Sequence, residues 1–514
     1  MICQNFASII RKKAYIHPDK VGVVESHTGK EYTFLDMSKR HNKLARAMMK
    51  MGIKKYDTIM CIPRNTIEYL DIYHAAAMIG AIMIPVNYRL SPAELIRIAG
   101  NAEPKALFFD NKFATTAKVV AESKTTVKDF VVFGQERYDW GINYNQLLTD
   151  NSDEELPIEG DSEDIILLMY TAGSSGMPKG VPLKHRNFFF KSQDIIVEMG
   201  ITKEDTILTV LPLFHIGGNM LYTQATMHAA AKLVLQAQFD AEETFKLIQQ
   251  HKITATFLLP AHMKMMIQVH DWEKKYKLNS LRFVGSGGEP VPDRVFAAFA
   301  EYKFPIFNSY GLTETTGEMI FNRPEYAHLK PANCIGKPCT CRDAKIVDSN
   351  GKELSPGQVG EIVVSGPTVV DGYWNNPEAT AKAFKDGWLY TGDKGMTDEE
   401  GYFYFLGRVD DMIVSGGENI FPAEIEEAIL ANPKVADVAI VGIPDEKWGQ
   451  IIKAIIVPKE GEKLTNEEVL ESVTKRLASF KKPRIIEFVS ELPKGPTGKL
   501  DRRLIKQKYS SPES

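Results

Sequence analysis

Cysteine is scarce: five residues in a chain of 514 do not make a disulfide framework and fit a reducing compartment. An excess of one charge is missing too. The 62 basic and 66 acidic residues leave a net charge of −4, which gives no bulk electrostatic case for nucleic acid or an anionic membrane as partner. Long apolar runs are also absent. The longest nearly uncharged one, Ala75 to Val86, is shorter than a bilayer span and carries Pro85, and the opening MICQNFASIIRKK has no secretory apolar core. The expectation is a soluble cytoplasmic protein with no integral membrane segment. Cys334, Cys339 and Cys341 fall close together after His328. Zinc ligands usually come as two close pairs bridged by a longer segment, so these read as ordinary thiols.

What is present is a globular composition, with 44% hydrophobic and 25% charged residues, on a chain long enough for two or more domains, one of them large. The N-terminal half alternates helical patterns with short apolar runs. YTFLDMSKRHNKLARAMMKMG and PAELIRIAGNAEP have helical spacing, while YDTIMCIP, ALFFD, DFVVFG, TATFLLP and LRFVGSGG read as strands, which argues for largely parallel sheets. From Gly336 short alternating strands with turn signals take over: DAKIVDSNGKEL, GEIVVSGP and GYFYFLGR. A last mixed segment, with helices AEIEEAILANP and NEEVLESVTKRLASF and strands VADVAIVGIP and QIIKAIIVP, suffices for a small α/β domain.

One loop carries chemistry on its face. MYTAGSSGMPKGV follows the apolar DIILLMY, and glycines after a strand let backbone N–H groups approach phosphate oxygens while hydroxyls and an ammonium add donors. It is not a Walker A loop, since no Gly-Lys-Ser/Thr triplet follows and Pro178 stands where that motif enters its helix.

Seven glycine-punctuated clusters follow one another: YTAGSSGMPKG (170–180), LPLFHIGG (211–218), GSGGEP (285–290), NSYGLTET (308–315), LYTGD (389–393), GRVDDMIVSGGENIFPAEIE (407–426) and PKGPTGKLDR (493–502). In this order they resemble the adenylate-forming superfamily of acyl- and aryl-CoA synthetases, nonribosomal adenylation domains and luciferases. GRVDDMI, SGGENI, DEKWGQ and FKKPR most resemble CoA ligases of the 4-chlorobenzoate and fatty acid type. The resemblance implies an α/β fold with a large N-terminal domain of α/β subdomains plus a β-rich subdomain (1–409), holding the acyl and ATP sites. A small mobile α/β domain (410–514) would follow, hinged at Asp410. It also implies ATP, CoA and magnesium: a carboxylic acid attacks the α-phosphate of ATP to give an acyl adenylate and pyrophosphate, and a thiol then takes the acyl group.

The roles it implies fall residue by residue. Thr171, Ser174, Ser175, Gly176 and Lys179 would cradle the β- and γ-phosphates, with Ala172 where a serine is usual. Gly288 and Glu289 would form a ledge beside the adenine, Tyr310 would stack on it, and Asn308 and Gly311 belong to the same nucleotide-binding cluster. Thr313 would donate to the α-phosphate and Glu314 would hold magnesium, a hard oxygen ligand suiting that ion. Asp393 would accept the ribose hydroxyls with Arg408 nearby, and Lys499 would bridge the acyl carboxylate and the α-phosphate. For the second step, Gly416 and Gly417 would wall a pantetheine tunnel, Trp448 would pack on that arm, and Phe480, Lys482 and Arg484 would surround the CoA nucleotide. His215, beside Phe214, would line the junction of acyl pocket and tunnel.

The acyl pocket is expected from segments around 215–223, 259–267 and 285–290, with Met220, Met263 and Met266 as adaptable apolar lining. FHIGGNM offers no arginine for a second carboxylate, which favours a hydrophobic monocarboxylic acid, fatty (medium or long chain) or aryl. A carrier-loading adenylation enzyme, a luciferase-like oxygenase and a non-catalytic acyl-nucleotide sensor are the alternatives. The sequence leaves the oligomeric state open, a homodimer included.

Overall fold

The computed structural model describes residues 5–134, 136–171, 178–288, 291, 293–299, 304–326, 333–408, 411–415, 418–445, 448–495 and 499–510. Helices begin where the sequence supplies caps. Thr33 accepts the Asp36 N–H at 3.1 Å while Asp36 accepts that of Thr33 at 3.0 Å, opening Phe34–Lys50. Ser91 and Glu94 form the same reciprocal pair before Pro92–Ala102, with proline at the first helical position. Helix Ile67–Met78 buries every residue but Glu68, as an all-round apolar pattern requires. Its one interior carboxylate, Asp71, accepts from Arg40 at 2.8 and 2.6 Å and from the Tyr144 hydroxyl at 2.7 Å. Burial would raise that carboxyl, but Arg40 and His41 outweigh it and hold it at about 2.

Three sheets organise the described residues. One runs Ile142–Asn143, Asp129–Phe133, Ala106–Asp110, Thr58–Ile62, Ile82–Pro85 and Ile165–Thr171, all parallel, and closes with antiparallel Lys179–Lys184. The largest sheet has a parallel centre, ordered Ile306–Leu312, Phe283–Gly287, Ala255–Phe257, Thr206–Thr209, Lys232–Leu235 and Val21–Glu25. It continues beyond Ile306–Leu312 as an antiparallel run through Gly317–Phe321, Cys334–Pro338, Phe403–Arg408, Trp388–Thr397, Gly360–Ser365 and Asp343–Val347. The expected switch to alternating strands near Gly336 is this antiparallel run, although it is hydrogen-bonded to the parallel sheet. A third sheet joins Val435–Asp445, Gly449–Pro458 and Ile485–Phe488 with two short strands, Ile413–Ser415 and Glu418–Ile420, around its own apolar core.

The elements read from the sequence recur with trimmed ends. The largest trim is in NEEVLESVTKRLASF, whose helix is Asn466–Thr474. Its chain tightens there, the Arg476 N–H bonding the Val473 carbonyl three residues back at 3.1 Å, and Pro483 nearby could not continue a helix.

Candidate active site

The carboxyl ends of the parallel strands in the large sheet open on one cleft of about 1330 Å³, the usual place for ligands in an open α/β sheet. Val210 and Leu211 follow Thr206–Thr209, Leu259 follows Ala255–Phe257, Gly288 follows Phe283–Gly287, and Gly311 to Glu314 end the next strand and begin its turn; all line the cleft. The opposite wall is the Ile165–Thr171/Lys179–Lys184 hairpin, the antiparallel run adds Glu361, Thr391 and Arg408, and Lys499 reaches in from near the C-terminus. Asn65 ties the walls. Its amide accepts the Leu213 N–H at 2.9 Å and donates to the Leu211 and Gln236 carbonyls at 2.9 and 3.1 Å. Among the described residues, seven lysine and arginine side chains against three glutamates line the cleft, a balance suited to a polyanion.

Thr171 and Lys179 face each other across the hairpin register and both line the cleft. Ser174, Ser175 and Gly176, with Ala172, lie outside the described residues. The Lys179 ammonium sits 4.8 Å from the Tyr373 ring centroid, and the Tyr373 hydroxyl donates to Glu314 Oε1 at 2.8 Å. The Glu314 carbonyl accepts the Val370 N–H at 2.9 Å, so this carboxylate is anchored at both backbone and side chain. Thr313 lines the cleft beside it.

Tyr310, on Ile306–Leu312, donates its hydroxyl to Asp393 Oδ2 at 2.6 Å. Arg408 Nε reaches Asp393 Oδ1 at 3.1 Å, but off the hydrogen-bonding angle, so that contact is electrostatic. Burial pushes the Asp393 carboxyl up to about 6 against the opposing pull of Arg408 and Tyr310. Asn308, Tyr310 and Asp393 are buried behind the lining, whereas Gly311 and Arg408 are on it.

Lys499 lies against Gly288. A Cβ on that glycine would meet the ammonium and come within 3.0 Å of Cε, the movable end of the lysine, and the φ of +79° at Gly288 is what favours glycine there. The described residues flanking Lys499 are held together, the Gly495 N–H bonding the Lys499 carbonyl at 2.7 Å and the Asp501 N–H that of Pro493 at 2.9 Å. Glu289 lies outside the described residues. His215 also lines the cleft, its ring 4.5 Å from that of Phe214. Burial, then the cations Lys499 and Arg89, push its imidazole down to about 4, leaving it neutral near pH 7. A wide helical turn, Gly217–Gln224, follows it; such turns recur at functional sites. A Cβ on Gly218 would strike the carbonyls of Pro212 and Leu211. Gly218→Ala is therefore expected to destabilise the protein by about 1–3 kcal/mol, read as a lower urea midpoint; an unchanged midpoint would show that the turn relaxes freely.

A family model described as AMP-binding enzyme matches residues 10–374, and one described as AMP-binding enzyme C-terminal domain matches 424–499. The chain belongs to the AMP-binding enzyme family. This AMP-binding enzyme is 34% identical over 500 residues to the indoleacetate–CoA ligase of Aromatoleum aromaticum, covering 97% of each chain. It is 30% identical over 511 residues to the long-chain-fatty-acid–CoA ligase FadD13 of Mycobacterium tuberculosis, covering 99% of each. Among solved structures, that of the anthranilate CoA ligase AuaEII in complex with anthranoyl-AMP superimposes with a TM-score of 0.93 at 26% identity, covering 99% of this chain and 97% of that one.

Of the residues expected on the thiol side of the AMP-binding enzyme, the described Trp448, Lys482 and Arg484 are not in the cleft. Arg484 stacks its guanidinium 4.6 Å from the Trp448 ring centroid. Asp410, Gly416 and Gly417, and His328, lie outside the described residues, as does the Phe480 side chain. The methionine expectation needs correction. Met220, Met263 and Met266 are fully buried in the core and none lines the cleft, where Met265 does instead. On the short helix Pro260–Met266, Met263 and Met266 share the core face three residues apart, and Met265, one residue from Met266, turns to the cleft. Cys334 and Cys339 are buried and Cys341 is exposed.

The sequence reading missed Tyr373, Asn65, Arg89 and Glu318. Tyr373 and Asn65 stand in no phosphate-binding pattern. Arg89 follows an aromatic, Tyr88, over whose ring it lies at 5.3 Å, and Glu318 sits a few residues beyond NSYGLTET.

Proposed function

We propose that this AMP-binding enzyme, an ATP-dependent acid–thiol ligase, works by the two-step route through an acyl adenylate, with CoA as the thiol. In the first step a carboxylate oxygen bonds to the α-phosphorus of ATP as the bond to pyrophosphate breaks. In the second, the thiol sulfur bonds to the acyl carbon as the bond to AMP breaks and the thiol proton leaves. The observation that carries the reading is the seating of Lys499 against Gly288, in the same cleft as Thr171, Lys179, Thr313 and Glu314. A cation there would offset charge developing between carboxylate and α-phosphate.

Thr171, Lys179 and the hairpin loop would hold the β- and γ-phosphates, and Thr313 the α-phosphate. The anchored Glu314 carboxylate would hold a hard cation, and magnesium there would supply positive charge against the phosphates. Tyr310, Gly288 and Asn308 would frame the adenine. Asp393 would accept the ribose hydroxyls as a carboxylate. Protonation removes acceptor capacity, so the KM for ATP is expected to rise as pH falls through about 6, and Asp393→Asn should give a higher, pH-insensitive KM. A flat wild-type profile between about pH 5 and 8 would contradict a ribose contact through that carboxylate.

The domain boundary at 409/410 with a hinge at Asp410 belongs to the proposal, as does a second conformation in which Gly416, Gly417, Trp448, Phe480, Lys482 and Arg484 face CoA. Arg484 stacked on Trp448 outside the cleft fits a set not engaged while Lys499 is. A neutral His215 would gate rather than take a proton. The acid is proposed as a largely hydrophobic monocarboxylate, fatty or aryl, which relatives acting on indoleacetate and long-chain fatty acids support. No described helix is long and apolar enough to cross a membrane, and a cytoplasmic location fits the scarce cysteine.

The test is pyrophosphate release from a panel of fatty and aromatic acids with ATP and magnesium, with and without CoA. Sustained release that needs CoA, with acyl-CoA detected by mass, is expected. CoA-insensitive release with accumulating acyl-AMP would favour carrier loading.

A further inference from the structure

Among the described residues, the polar groups near the same cleft that are sealed from water without a hydrogen-bond partner include Glu318 Oε2, the Tyr222 hydroxyl and the Lys191 ammonium, with His215 Nε2 on the lining itself. Glu318 stands opposite Gly311 in the register of Ile306–Leu312 with Gly317–Phe321, lines the cleft and keeps 9% of its surface. Tyr222, from the wide helical turn, points its hydroxyl where a Cβ of Gly285 would be, at 2.6 Å, next to Phe257 of the cleft wall. Lys191, on helix His185–Glu198, is wholly buried over the Phe321 ring at 4.8 Å. Burial pushes the Glu318 carboxyl up and the Lys191 ammonium down, each one's charge opposing the other's shift in part, yet neither has a hydrogen-bond partner in the other. A structural ion pair would close that gap, since a buried charge is costly unless paired and hydrogen-bonded.

The cleft lining holds apolar side chains, Ile216, Phe257, Leu259 and Met265, beside polar ones, His215, His262 and Lys499, the last acting electrostatically on Glu318. An apolar lining with a few placed polar groups is the pattern of a site that orients a substituted ligand. We propose that Glu318 is a specificity-determining residue of the acyl pocket, accepting a hydrogen bond from a hydroxyl or amino group carried by the acid. The substrate class is then a hydrophobic monocarboxylic acid bearing a hydrogen-bond donor away from its carboxyl group. This rests on the ligase reading above.

The experiment compares kcat/KM, by pyrophosphate release, for paired acids: phenylpropanoate against its ring-hydroxylated and ring-aminated analogues, and octanoate against hydroxyoctanoate. The wild type is expected to favour a donor-bearing member of at least one pair by about tenfold or more, because the plain acid leaves the carboxylate unsatisfied. Glu318→Leu should erase or reverse that preference and Glu318→Gln should keep part of it. Lys191→Met, which leaves the acceptor in place, should weaken it and provides the test should the leucine variant not fold, as judged by thermal unfolding. Wild-type turnover with no preference in any pair, or a preference untouched by the folded variants, would overturn the role of Glu318 while leaving the ligase reading intact. Absence of pyrophosphate release with every acid would instead overturn the ligase reading, and this inference with it.

Discussion

Lys499→Ala is expected to slow acyl-adenylate formation from acid and ATP by about two to three decades, the loss of roughly 3–4 kcal/mol of charge stabilisation. Thioester formation from supplied acyl adenylate and CoA should stay within about twofold of wild type. The asymmetry follows from geometry. The ammonium lies against Gly288 in the cleft, and Lys499 enters from near the C-terminus, apart from Trp448 and Arg484, to which the thiol step is assigned. Gly288→Ala would place a methyl group against the ammonium and push this flexible end aside, so it should give a milder adenylation defect than Lys499→Ala. Equal loss of both half-reactions in Lys499→Ala would refute this division of labour.

Glu314→Ala is expected to lower adenylation by about a hundredfold at millimolar magnesium and to shift the magnesium dependence to higher concentration, because a carboxylate ligand is lost beside the triphosphate. Tyr373→Phe should be milder, about three- to tenfold, since it removes one hydrogen bond to that carboxylate and leaves its charge in place. Magnesium titration of pyrophosphate release separates the two. An alanine variant with an unchanged magnesium midpoint would show that Glu314 is not the ligand, and a Tyr373→Phe defect as deep as Glu314→Ala would move the essential role to the tyrosine.

What was legible in the sequence was the part carried by short-range pattern. Capping pairs such as Thr33/Asp36 and Ser91/Glu94 mark helix starts in one turn of chain. Glycine-punctuated strand ends mark where backbone must come close to a ligand, and Gly288 does so for Lys499. Contacts between distant segments were not legible. Tyr373 meets Glu314 across 59 residues and Asn65 meets Leu211 across 146; nothing local requires either pairing. Met220, Met263 and Met266 were mistaken for pocket lining because residue type alone does not say which face of a short helix turns to the core. Glu318 was passed over because its meaning lies in an unpaired oxygen, a property of its surroundings.

The central claim is that the acid is activated by bonding its own oxygen to the α-phosphorus of ATP. The most direct test uses the accepted acid labelled with oxygen-18 in its carboxylate, turned over with ATP and CoA, with the mass of the released AMP recorded. One labelled oxygen in AMP for each acyl-CoA formed is the predicted result, since thiolysis of an acyl adenylate leaves that oxygen on phosphorus. Acyl-CoA formed with unlabelled AMP, or with the label in another product, would contradict it.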